Sequence, residues 1–168
     1  MVDAEPALGR GDLAPERLKQ ANINPDTGLA TDYLNHFNEV VMLLEMLPAM
    51  PECADEVLEW APMDYEAHFE KSRFSEKGLA IAAYRASPGE LRGALQSIVT
   101  QIDETVRGAQ QALKEADDVT VIAPQVSETA TARIKPLVSI AGAVIHGHID
   151  SAEDTEAESQ ASIDALFA

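Results

Sequence analysis

Ser87-Pro88-Gly89-Glu90, with the run Leu91–Ala116 that follows it, is the stretch that decides the fold class. Serine, then proline, then glutamate three residues on has the form of a capping box with proline at the first helical position. Behind it Leu91, Leu95, Ile98, Ile102, Val106 (or Thr105), Ala109 and Leu113 hold a near-heptad seam. At about 1.5 Å per residue such a helix spans on the order of 40 Å. It needs an apolar partner along its length, supplied by this chain or by a second copy in a homodimer.

Upstream, Asn24-Pro25-Asp26-Thr27-Gly28 reads as a turn that launches a helix from Leu29 to Leu47, where Pro48 stops it. Tyr33, Phe37, Val40/Val41, Leu44 and Leu47 form its buried stripe. Asp32, Asn35, His36 and Glu39 line a neighbouring polar face at spacings of three and four. Shorter helices are expected over Glu52–Trp60 and Met63–Phe74, and another capped by Ser75 and running to Ala86. Downstream, Asp117–Glu128 carries β-branched residues around Pro124 and is expected to cross the end of the helices in extended form. Thr129–Gly147 is then a last helix, with Pro136 at its start or in a kink. The fold class is all-α, an antiparallel helical bundle over residues 25–148. Residues 1–24, with Pro6, Gly9, Gly11 and Pro15 among charges, are expected to be mostly disordered, apart from a short helix over Ala14–Ala21.

The 168 residues suit one domain with tails. Against 12 basic residues stand 29 acidic ones, a net charge of −17. So negative a surface repels nucleic acid and anionic membranes, which bind through neutralisation of phosphate by Lys and Arg. Cys53 is the single cysteine, which leaves no internal disulfide and no Cys-rich zinc site. No apolar run approaches the roughly 20 residues of a membrane span, and the cytoplasm is the expected location.

Residues 149–158 form an acidic linker with nothing to bury, and residues 159–168 follow as a short apolar peptide. As a helix capped by Ser159, that peptide places Ile163, Leu166 and Phe167 on one stripe, the form of a segment that docks in a partner's groove. The alternative is a terminal helix folded back on its own domain. Ser159-Gln160-Ala161-Ser162-Ile163-Asp164-Ala165-Leu166-Phe167 resembles the N-terminal peptide of the flagellar switch protein FliM and the related C-terminal peptide of the chemotaxis phosphatase CheZ. Ser162 stands where an acid is usual, and Phe167 where leucine is. The resemblance implies a partner, the phosphorylated CheY-like receiver, met by Ser159, Gln160, Ile163, Asp164, Leu166 and Phe167.

It also gives the polar face of the first helix a role. CheZ-type phosphatases present an acid to the receiver's lysine and an amide to the attacking water, from side chains one helical turn apart. Asn35 and Glu39 are similar to that pair with acid and amide exchanged, and Asp32 with Asn35 restores it in another register. Asp32, Asn35 and Glu39 are therefore the candidate catalytic residues. The chain itself needs no cofactor on this reading, since the receiver carries the magnesium ion. Read without the resemblance, the same cluster is a polar layer that sets helix register, and the protein a non-enzymatic adaptor or scaffold. Phosphotransfer through His36 and a metal site built on His36-x-x-Glu39, or on Asp64, Glu66, His68 and Glu70, are weaker alternatives, because neither a Lys-Gly after the histidine nor any Glu-x-x-His step is present.

Overall fold

The computed structural model describes residues 7–72 and 76–148. It is all-α, with no strand among the described residues. Eight α-helices follow in order among the described residues: α1 (Pro15–Gln20), α2 (Asn35–Met46), α3 (Ala54–Glu59), α4 (Tyr65–Lys71), α5 (Lys77–Ala86), α6 (Gly89–Glu115), α7 (Val119–Thr129) and α8 (Lys135–Ile145). No helix is long and apolar enough to cross a membrane among the described residues.

The long helix forms as its seam requires, but starts differently. Pro88 occupies the N-cap of α6 and no side chain caps it. Ser87 instead ends α5, and its hydroxyl is buried without a hydrogen-bond partner. A two-residue corner leaves Ser87 pointing into the core, so the expected capping box does not form. Leu91, Leu95, Ile98, Ile102, Val106, Ala109 and Leu113 are all buried within this chain, α6 packing on α8, α7 and α3. Each large apolar side chain so buried contributes about 1.5–3 kcal/mol. The partner that the seam needs is thus intramolecular. Gln110 adds a pin to α3, its amide donating to the carbonyls of Val57 at 2.8 Å and Trp60 at 2.7 Å.

The expected extended crossing is overturned. Residues 117–128 are not extended: Asp118 caps α7, accepting from the Thr120 amide at 3.0 Å, and Pro124 lies inside the helix. A π-helical segment, Ala130–Ile134, joins α7 to α8, and Pro136 follows directly in the first turn of α8. A proline ring clashes with the carbonyl four residues earlier, and a widened turn at that place relieves the clash.

The N-terminal segment, where described, is not loose. Leu13 and Leu18 are fully buried, with Ala21 and Ile23 beside them. Apolar burial and the ion pair from Arg17 to Glu76 of the α5 N-cap (2.9 Å) hold it down. The body therefore begins well before residue 25. The expected cap Ser75 lies outside the described residues, as do the linker 149–158 and the peptide 159–168.

The turn at Asn24–Gly28 forms as expected and anchors the region around α2. The Asn24 side chain accepts from the amides of Asp26 (2.8 Å) and Thr27 (3.1 Å). The buried Thr27 hydroxyl donates to the carbonyl of Ile145 at 2.7 Å, satisfying an orphan acceptor at the end of α8. Residues Thr31–Leu34 then make one 3-10 turn before α2. The expected single helix from Leu29 is therefore a 3-10 turn leading into α2.

Asp103 on α6 is the clearest cost in this body. One of its carboxylate oxygens is buried without a hydrogen-bond partner. Burial pushes its carboxyl up to about 6, with Arg107 pulling the other way. A folded value above the unfolded one means stability is lost as pH rises from about 4 through 6. Asp103→Asn is expected to raise the melting temperature at pH 7.5 by about 2–4 °C, roughly 1 kcal/mol after allowance for its half-exposed position. The gain should shrink at pH 4, which calorimetry of both proteins at the two pH values checks.

Candidate functional site

The polar residues of the 3-10 turn and the start of α2 meet α4. Asp32 sits in the 3-10 turn, half-buried, and Asn35 opens α2, exposed. The Asn35 amide donates to Asp32 Oδ1 at 3.2 Å. His68 Nε2 donates to the other oxygen, Oδ2, at 2.9 Å. Asp32 is thus gripped at both oxygens, by the first residue of α2 and one from α4. Glu39 is exposed one turn beyond Asn35 and lines a cleft together with Asn35 and His68.

Why α4 presents His68 here follows from its packing. Asp64 caps α4 through the Ala67 amide at 2.8 Å. Tyr65 and Phe69 are buried, and Tyr65 stacks on Tyr84 with centroids 4.4 Å apart. Tyr65 also accepts the backbone N–H of Ala30 at 2.8 Å, while Tyr33 donates to the carbonyl of Met63 at 2.8 Å. These two reciprocal bonds tie the segment before α2 to the start of α4. Burial pushes both phenols up, so both stay protonated donors or acceptors near neutral pH.

His36 has a different fate from its neighbours. Its ring stacks on Trp60 at 4.6 Å, and its Nε2 donates to the carbonyl of Ala61 at 2.8 Å. Trp60 returns a bond from its indole N–H to the His36 carbonyl at 2.9 Å. Burial pulls the His36 imidazole below its usual range, opposed in part by the bond to Ala61. With one nitrogen committed and a face covered, His36 is a strut between α2 and α3.

Two clefts flank the Asp32–Asn35 pair. One, of about 240 Å³, lies between α2 and α4 and is lined by Asn35, His36, Glu39, His68 and Lys71 among others. The second, of about 510 Å³, is walled by Lys19, Asn22, Asn24, Asp32, Asn35 and His146. Asn35 belongs to both and forms the ridge between them. Among the described residues no three His, Cys, Asp or Glu side chains converge as a metal-binding group; His68, expected in an acidic patch with Asp64, Glu66 and Glu70, turns to Asp32.

The structure therefore unites Asp32 and Asn35 and places Glu39 beside them. It adds His68, which sequence reasoning set in a different cluster. No spacing signal links residues 36 positions apart, and the link exists only because α4 folds back on the turn before α2. The candidate peptide residues Ser159, Gln160, Ile163, Asp164, Leu166 and Phe167 lie outside the described residues. No family model matches this chain, and neither a curated protein nor a solved structure matches it.

Proposed function

We propose that this chain binds a phosphorylated CheY-like receiver through its C-terminal peptide and promotes loss of the aspartyl phosphate. The body is an antiparallel bundle, and residues 149–158 tether the peptide to it, raising the local concentration of captured receiver. The observation that carries the reading is the acid–amide pair: Asp32 and Asn35, one turn apart and 3.2 Å from each other, on a ridge between two clefts.

The chemistry follows from that pair. Water attacks the phosphorus, the bond from phosphorus to the receiver's carboxylate oxygen breaks, and inorganic phosphate leaves. Asn35 supplies an amide that accepts from and donates to the attacking water, and Asp32 offers a carboxylate to the receiver's lysine. Positioning of this kind is the whole contribution of the chain, and the receiver supplies its own magnesium ion.

A second reading rests on a specific observation. Both oxygens of Asp32 already have partners within the chain, which suits a polar layer in a non-enzymatic adaptor or scaffold. Decay of a phosphorylated CheY-type receiver, followed with and without the full chain, separates the two. Faster decay at catalytic amounts of the chain supports the phosphatase reading. Unchanged decay with retained receiver binding leaves the adaptor.

A further inference from the structure

We propose that His68 is a positioning residue for Asp32, an inference that rests on the phosphatase reading and extends it to α4. Asp32 lies in a short 3-10 turn and is about one-third exposed, whereas the His68 side chain is only 13% exposed. Without a second partner, a carboxylate in such a turn could swing toward solvent and away from Asn35. His68 removes that freedom. Its Nε2–H holds Oδ2 at 2.9 Å, which leaves Oδ1 turned to the Asn35 amide.

The imidazole is itself fixed. Phe69 meets its ring edge-on at 4.9 Å, and Tyr33 does the same at 5.6 Å. Phe69 is fully buried and Tyr33 nearly so, so neither wall can retreat. Tyr33 also belongs to the same turn as Asp32 and is bonded to Met63 just before α4. The histidine and the acid are thus mounted on elements already cross-linked to one another. Support of this kind makes a reacting pair rigid.

The test uses the full chain with a phosphorylated receiver. His68→Leu keeps bulk and removes the donor, while His68→Gln keeps an N–H donor near the Nε2 position. The leucine variant is expected to lose about tenfold in kcat with KM unchanged, and the glutamine variant to recover most of it. A leucine variant at full kcat, or a glutamine variant as poor as leucine, overturns the positioning role while the phosphatase reading stands. A wild-type chain with no activity overturns that reading and this role together. Should the leucine variant fail to fold, the imidazole nitrogen resonances of the wild type decide: a hydrogen-bonded Nε2–H that shifts in Asp32→Asn supports the role, and one that does not move removes it.

Discussion

Asn35→Ala is expected to abolish accelerated dephosphorylation of the receiver, a loss on the order of 100-fold in kcat, while receiver binding by the tail is unchanged. Asn35 is exposed, and its side chain bonds to Asp32 rather than to the core. Its removal should therefore leave stability within about 0.5 kcal/mol of the wild type. What disappears is the amide that orients water, at the residue that lines both clefts. Glu39→Gln distinguishes the two registers of acid and amide. If Asp32 is the working acid, the glutamine variant keeps most of the activity; if Glu39 is, it loses activity to a similar degree as Asn35→Ala. Unchanged turnover in Asn35→Ala ends the catalytic half of the proposal.

Gly28→Ala should have the largest effect on stability. Gly28 has a φ of +75°, a region that costs an L residue about 1 kcal/mol. A Cβ there would also lie 2.6 Å from the carbonyl oxygen of Ala83 and 2.9 Å from a methyl of Leu8. Leu8 can turn aside, but the Ala83 carbonyl is part of α5 and moves only with the helix. Strain and displacement together cost about 3 kcal/mol, or roughly 6–12 °C in melting temperature for a domain of this size. Gly108→Ala is the control: it lies within α6 with nothing within 4 Å of the added methyl, and should stabilise by about 0.5–1 kcal/mol. Thermal unfolding of the two variants checks both signs.

Much of the helical skeleton was legible because its signals are local. The seam from Leu91 to Leu113 and the stripe from Tyr33 to Leu47 repeat at helical period, and every residue of both is buried. Where reading failed, local chemistry misdirected it. Pro124 and its β-branched neighbours suggested an extended crossing, yet Ala123, Val126, Ala130, Ile134, Leu137 and Ala141 recur at three and four and are all buried. That period runs through Pro136 and was the better guide. In the same way, glycines and prolines near the N-terminus hid Leu13 and Leu18, which seal the core.

The site was legible in part. Asp32 and Asn35 are three residues apart, so helical spacing alone brings them together. His68 was beyond reach, because its place beside Asp32 depends on Tyr33 and Tyr65 bonding across the two segments. Ser87 teaches the same lesson on a smaller scale. The motif was correct in letters, but a two-residue corner shifted the cap to Pro88.

The most direct measurement is binding of a labelled peptide spanning residues 158–168 to CheY-type receivers, by fluorescence anisotropy, with and without beryllofluoride as the phosphoryl mimic. Capture of the phosphorylated receiver predicts binding that tightens when the mimic is present and weakens when Phe167 is replaced by alanine. Binding to no receiver, in either state, would contradict the account and leave the peptide without the partner proposed for it.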